Sequence, residues 1–461
     1  MRLMNDVEVA AQITSMKQYF STAECRSLAW RRMQLKQLLT MTEYHQDEII
    51  AALKLDLNKS EQESWATEIG FVVADIKHTL SHLNKWAKPR KVSTPIVAQL
   101  GASYLLPEPK GVVLIMGAWN YPFQLLIAPL IAAIAAGNCA VLKPSELAVN
   151  TSILLAKLIS QYLDPKAFKV IQGGVTESTE LLQQPFDHIL YTGGEQVGKV
   201  VMRAAAEHLT PVTLELGGKS PCVVDANTNL AVTARRIVWS KWMNAGQTCV
   251  APDYILVDKH FATPLIEALK SALLEFYGED CQQNADYGRI INKRHHQRLS
   301  SYLEGQVVVL GGECDESSLY IAPTLVLNPD LDSAVMTEEI FGPILPIVSV
   351  DNLQDVAAFI NQRPKPLALY VYSKNQSWVD MLLAQTSAGS VCINDGMMFM
   401  TNPELPFGGV GNSGMGSYHG RFGFDTFSHL KAVMKRSFWF DIALRYPPFS
   451  RSKLSWLKRL L

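Results

Sequence analysis

The sequence predicts an α/β fold, and three observations carry that expectation. Short β-rich runs alternate with helical runs from Val112 to His208, and again from about Val223 to Cys392. Glycines fall where strand candidates give way to helix candidates, as at Gly173–Gly174 and Gly193–Gly194. Hydrophobic residues make up 48% of the 461 positions and charged residues 18%, the balance of a globular chain with a large core. Such alternation implies a parallel sheet covered on both faces. Ligands in that architecture bind outside the carboxyl ends of the strands.

Residues up to about 85 read as helical and polar. Ile49, Ile50, Leu53 and Leu57 recur at helical spacing, as do Ile69, Val72, Val73 and Ile76. A stretch with Pro, Lys and Thr comes next, from Lys88 to Pro109, and reads as a linker or an extended arm. Val112–Met116 is then a strand, Leu125–Ala136 a buried helix, Ala140–Leu142 a strand and Glu146–Leu163 a helix. Phe168–Ile171 is a strand before a helix near Ser178–Gln184, and His188–Tyr191 a strand before the helix Val197–His208. In Val212–Leu216, Val212, Leu214 and Leu216 fall on one strand face and Thr213 and Glu215 on the other. Strand candidates of the second block are Tyr254–Val257, Val307–Leu310, Ile344–Val348 and Leu367–Val371.

Global properties exclude several classes. A prior of about 150 residues per domain gives roughly two to four domains. The formal net charge of −1 offers no field for nucleic acid. Seven cysteines are scattered with no CxxC, which argues against a disulfide framework and a zinc site. The pair His295–His296 sits beside Lys293, Arg294 and Arg298, a poor place for a metal cation. The opening Met1–Glu8 carries acids and lacks an apolar core, so it does not read as a secretory signal. The longest apolar run, Leu125–Ala136, contains Pro129 and is too short to span a bilayer. A reduced, cytoplasmic setting is the default expectation.

Three glycine or strand-end motifs bear on a cofactor. Gly409, Gly411 and Gly414 spell a literal GxGxxG, but no strand runs into it, so it is rejected as a dinucleotide loop. The run Gly193–Val200 comes after a strand and opens a helix. It nearly spells a Walker A loop, yet Val200 lacks the hydroxyl that would hold Mg²⁺, and Glu195 would repel a triphosphate. A helix N-terminus with open glycines still accepts a diphosphate; the alternative is a tight turn without a ligand. Lys143 and Glu146 flank Pro144–Ser145 at a strand's carboxyl end, where ribose hydroxyls can be read. Ser145 is the expected N-cap of the next helix.

The chemistry-bearing pair is Cys249, in Asn244–Pro252, and Glu215, in Leu214–Pro221. A thiol and a carboxylate are what covalent chemistry on a carbonyl needs: one attacks, the other activates water. Taken with Ala118–Phe123, Leu142–Glu146, Tyr191–Gly193, Gly246–Cys249, Glu338–Pro343 and Leu405–Gly414, these segments resemble the aldehyde dehydrogenase superfamily. The Trp119–Phe123 variant, the short N-terminus and the run Gly414–Gly420 are similar to its class 3 branch, and the match extends from about Ala51 to Ser428.

The resemblance implies NAD(P)-dependent oxidation of an aldehyde to a carboxylic acid. It makes Cys249 the nucleophile, forming a thiohemiacetal and then a thioester. Asn120 becomes the oxyanion partner and Glu215 the base that activates water. Gly193, Gly194, Val197 and Gly198 match the cofactor loop, which in this family is GxxxxG. Lys143 and Glu146 match the adenosine ribose contacts, and Glu339 and Phe341 the residues beside the nicotinamide ribose and ring. Glu146 favours a free 2′-hydroxyl, hence NAD, with NADP as a second cofactor of the class 3 branch.

The implied organisation is a Rossmann-type NAD(P)-binding domain (1–87 and 109–214), an α/β catalytic domain (215–400) and a small β oligomerisation arm (88–108 and 401–435) that makes a homodimer. The run Gly396–Met400 departs from the family pattern. Its methionines form an adaptable apolar surface, which predicts medium- or long-chain aliphatic, or aromatic, substrates. The tail 436–461 holds Arg445, Arg451, Lys453, Lys458 and Arg459 among Leu454, Trp456, Leu457, Leu460 and Leu461. It reads as a basic amphipathic segment suited to weak contact with an anionic membrane. Two rivals stand beside oxidation: a cysteine-dependent acyl hydrolase, and a non-catalytic protein that keeps the fold.

Overall fold

Val112–Met116 is five apolar residues in succession, all buried, as a strand covered on both faces requires. In the computed structural model, which describes residues 6–439 and 441–460, this strand is central to a six-stranded sheet. Expectations for Met1–Asn5 and Leu461 lie outside the described residues, as does the side chain of Leu460. The sheet order is Gly414–Met415, Val212–Glu215, His188–Thr192, Val112–Met116, Cys139–Lys143 and Phe168–Val170. All pairings are parallel except that of Gly414–Met415. The chain builds outward from Val112–Met116 on one side, then returns to its other side. That reversal opens a crevice at the strands' carboxyl ends. The helix Gln124–Ala136, buried along its whole length, leads from the first strand to the second.

A second sheet of seven strands runs in the order Val308–Leu310, Thr324–Leu327, Ile344–Val350, Tyr254–Asp258, Pro221–Val224, Ala368–Tyr372 and Ser390–Ile393. It too is parallel apart from its first strand. A third, antiparallel sheet joins Arg90–Val92, Gly101–Pro109 and Ser428–Arg436. The stretch from Lys88 to Pro109 therefore contributes two strands to this sheet. Part of the segment after 401 lies elsewhere, because Gly414–Met415 joins the first sheet. No helix of the described residues is long and apolar enough to cross a membrane.

Local corrections have physical causes. The helix expected from Glu146 runs from Val149 to Tyr162, and Ser145 is not its N-cap. Ser145 Oγ instead accepts from Leu147 N at 3.3 Å and closes a turn. The helix is capped from a distance: Asp56 accepts from Asn150 N at 3.0 Å and Thr151 N at 2.8 Å, a carboxylate on the positive helix end. Helices expected at Ser178–Gln184 and Val197–His208 start earlier, at Val175 and Glu195, directly after glycine pairs.

Candidate active site

Two cavities meet inside the molecule. One, of about 710 Å³, lies over the carboxyl ends of the six-stranded sheet. The other, of about 610 Å³, is lined by apolar side chains including Phe71, Trp239, Met243, Phe276, Met397, Met398, Met400 and Phe407. Thr192, Glu215, Leu216 and Cys249 line both. Cys249 and Glu215 therefore stand where a strand-end cleft opens into an apolar chamber.

The turn that presents Cys249 is strained. Asn244 and Ala245 take left-handed backbone angles, with φ of 53° and 50°, and Gly246 comes next at 74°. Such conformations cost roughly 1–3 kcal/mol per non-glycine residue and persist only when surrounded by restraints. Gln247 supplies several: its Nε2 donates to Asn244 O at 3.0 Å and Arg289 O at 2.9 Å, and its Oε1 accepts from Ile291 N at 3.0 Å. A side chain at Gly246 would meet Gly342 O at 2.2 Å. Burial, then the nearby Glu339 and Glu215, pushes the Cys249 thiol up to about 12, while the backbone N–H groups of Cys249 and Val250 act in the opposite direction.

Glu215 ends its strand, paired with Thr192 on one side and Gly414 on the other. Neither carboxylate oxygen has a hydrogen-bond partner among the described residues. Burial holds it well above the usual carboxylate range, so once ionised it is a strong base. The rejected GxGxxG has a structural role here. A Cβ at Gly414 would meet Leu214 O at 2.2 Å, and one at Gly409 would meet Ser413 O at 2.1 Å. Its glycines let that loop close on the strand that ends in Glu215. Asn120 lines the cleft, and one amide N–H donates to Gln247 O at 3.0 Å. Its second amide N–H is the one left for a ligand.

The residues expected to hold the cofactor gather in the same cleft, with one exception. Lys143, Glu146, Gly193, Gly194, Val197, Glu339 and Phe341 all line it. Gly198 does not: a Cβ there would meet Leu216 Cδ2 at 2.8 Å, so this glycine serves helix packing. Gly194 faces open space at the N-terminus of the helix Glu195–Ala206. Glu195 is not a lone charge, since it pairs with Lys199 at 2.7 Å and accepts from Asn412 Nδ2 at 3.1 Å. Lys143 is buried, 3.8 Å from Glu146, and burial lowers its pKa. Glu339 lies against Gly217, keeps Oε1 unpartnered and is pushed up to about 8, chiefly by burial. Arg298 holds its loop by donating to Glu339 O at 3.3 Å and Ile340 O at 2.8 Å. A buried acceptor without a donor, an open helix N-terminus and a Lys–Glu pair fit the ribose hydroxyls and diphosphate of a dinucleotide.

Several contributors leave no mark in the sequence. Lys59 and Glu68 form a buried ion pair behind Asn120, yet in the sequence they look like solvated charges on a polar helix. Arg294, His295 and Arg298 line the cleft, whereas in the sequence their clustering speaks only against a metal. Phe399, within the methionine-rich run, turns from the chamber and stacks near Tyr370 and Phe407, with ring centroids 6.4 and 6.5 Å away.

Comparison with known proteins agrees with this geometry. A model of the aldehyde dehydrogenase family matches residues 1–433. Aldehyde dehydrogenase family 3 member A2 of Mus musculus is 49% identical over 452 residues, covering 98% of this chain and 93% of that protein. The dimeric NADP-preferring aldehyde dehydrogenase of Canis lupus familiaris is 51% identical over 431 residues, covering 93% and 95%. A substrate-bound structure of Staphylococcus aureus AldH superposes with a TM-score of 0.96 at 45% identity, covering 99% of each chain. On the strand-end cleft, the half-buried Cys249 beside the buried Glu215 and this full-length similarity, the chain belongs to the aldehyde dehydrogenase family and is an NAD(P)-dependent aldehyde dehydrogenase.

Proposed function

We propose that this enzyme oxidises medium- or long-chain aliphatic, or aromatic, aldehydes on Cys249, with Glu215 as the base. The observation that carries the reading is the placement of Cys249 and Glu215 at the junction of the two cavities. The aldehyde lies in the apolar chamber with its carbonyl at Cys249. The thiol adds to the carbonyl carbon as its proton passes to solvent through the open cleft. The oxygen becomes an oxyanion, held by the Asn120 amide and the backbone N–H of Cys249. NAD(P)⁺, when bound in the cleft, supplies the hydride acceptor. Cys249 then carries a thioester. Glu215 takes a proton from water as that water attacks the acyl carbon, releasing the acid and restoring the thiol.

Within the cleft, Gly193, Gly194 and Val197 take the diphosphate at the helix N-terminus. Lys143 and Glu146 take the adenosine ribose, and Glu339 and Phe341 the nicotinamide side. The Glu146 carboxylate favours NAD, and the adjoining Lys143 leaves NADP acceptable; the ratio of kcat/KM for the two measures the preference. A simple acyl hydrolase has no use for this cleft.

The substrate class is tested by comparing kcat/KM for decanal, benzaldehyde and acetaldehyde. Decanal is expected to exceed acetaldehyde by at least about tenfold, the value of one or two methylenes in an apolar pocket. A preference for acetaldehyde refutes the assignment.

The reading extends to assembly and placement. The six-stranded sheet with its helices serves as the cofactor domain, the seven-stranded sheet as the catalytic domain and the three-stranded sheet as the arm. Met434, Val92, Ile96 and Leu100 are exposed on or beside that arm, and open strand edges seek partners; both support a homodimer. The tail helix Arg451–Leu460 has basic residues and exposed Leu454 and Trp456. Phe438, Trp439 and Phe449 are exposed nearby. This supports peripheral contact with an anionic membrane, read by vesicle flotation with and without residues 445–461. The seven free cysteines suit a reducing, cytoplasmic compartment.

A further inference from the structure

We infer that the buried Lys59–Glu68 ion pair is a positioning device for Asn120, holding its amide where the aldehyde oxygen gains charge. The inference rests on Asn120 as the oxyanion donor, proposed above. Asn120 lies in irregular chain between the strand Val112–Met116 and the helix Gln124–Ala136. Side chains fix it there. Lys59 Nζ donates to Asn120 O at 3.0 Å, and Asn244 Nδ2 donates to the same oxygen at 2.8 Å. Lys59 Nζ also reaches Glu68 Oε1 at 2.5 Å, with both side chains fully buried. The other Glu68 oxygen accepts from Phe123 N at 2.9 Å and Gln124 N at 3.1 Å. One ion pair therefore grips this segment twice: the ammonium at Asn120, the carboxylate at the start of the next helix.

The pair also reaches the cysteine side. Lys59 Nζ lies 3.8 Å over the Tyr121 ring, whose hydroxyl hydrogen-bonds Thr248 Oγ1 at 2.7 Å, beside Cys249. Glu68 is delivered by a π-helical turn, Trp65–Ile69, a local insertion frequent at functional sites. Neither Lys59 nor Glu68 lines a cavity, so both act through Asn120 rather than on substrate. A buried ion pair is a weak stabiliser compared with apolar packing, which leaves placement of Asn120 as its work.

The test is a double-mutant cycle on kcat/KM for decanal with Lys59→Met, Asn120→Ala and their combination. NAD⁺ affinity and melting temperature are read on each variant. Lys59→Met is expected to lower kcat/KM by about 100-fold, the scale of an ångström of misplacement. It is expected to leave NAD⁺ affinity unchanged and to add nothing in the Asn120→Ala background. Wild-type kcat/KM in Lys59→Met, or losses that multiply independently, overturns the inference. Full activity of Asn120→Ala refutes the oxyanion reading itself; an impaired Asn120→Ala beside an intact Lys59→Met refutes this inference alone. If Lys59→Met does not fold, Lys59→Met/Glu68→Gln takes its place in the cycle, because it leaves no unpaired buried charge.

Discussion

The two cavities that meet at Cys249 are built in different ways. The cleft is made from segments just past strand ends: Gly117–Asn120, Lys143–Glu146, Gly193–Gly194 and Glu215–Gly217. A parallel sheet aligns its own carboxyl ends, so short motifs fix both a residue's identity and its place. The apolar chamber has no such frame. Its wall joins Thr67 and Phe71 with Trp239, Phe276, Tyr277 and the turn Met398–Thr401, pieces far apart in the chain. On the proposed reading, the reaction belongs to the strand ends and substrate choice to the helices and turns packed around them.

The comparison can be broken first at the junction. Glu215→Gln is expected to lower steady-state turnover by about 10²–10⁴-fold, the usual weight of a general base. The first turnover is affected less, because a thioester that is not hydrolysed accumulates. Because burial holds Glu215 above the usual range, wild-type turnover is expected to rise with pH as this carboxyl ionises. That limb disappears in Glu215→Gln; an unchanged limb assigns it to another group. Equal steady-state rates for the two proteins at all pH values refute the role.

The cleft is sharpened by Gly194→Ala. A Cβ at that position meets nothing within 4 Å, so the melting temperature is expected to stay unchanged. The KM for NAD⁺ is expected to rise about tenfold, or roughly 1.4 kcal/mol. An unaltered KM removes Gly194 from the cofactor site. The chamber is sharpened by Met398→Glu, which places a charge on an apolar wall. It is expected to cut kcat/KM for decanal by about fivefold, less than the value of one full methylene contact, and to spare acetaldehyde. An equal loss for both aldehydes assigns the effect to folding instead.

The same contrast explains how much of the site is legible in the sequence. Glu215 and Asn120 stand out in the sequence at or just past strand ends, and Cys249 in the turn between Met243–Gly246 and the strand Tyr254–Asp258, because short motifs carry their neighbours with them. Ser145 misleads because its helix is capped by Asp56, which lies 95 residues before Thr151 in the chain. Gly198 matches a cofactor motif, but its missing side chain makes room for Leu216. The GxGxxG at 409–414 lacks the strand a cofactor loop needs, yet only the pairing of Gly414 with Glu215 shows what it supports. Lys59 and Glu68 give no signal, because nothing local distinguishes a buried charge from a solvated one. The methionine-rich run is suggestive, but which of its side chains reach the chamber is decided by the 3₁₀ turn Met398–Thr401.

The central claim is that Cys249 carries the acyl group and Glu215 releases it. Intact-mass and peptide mapping of Glu215→Gln, mixed with decanal and NAD⁺, tests it directly. The expected result is one decanoyl group on Cys249, formed together with one equivalent of NADH and absent from Glu215→Gln/Cys249→Ser. NADH formation with an unmodified Cys249 throughout contradicts the account.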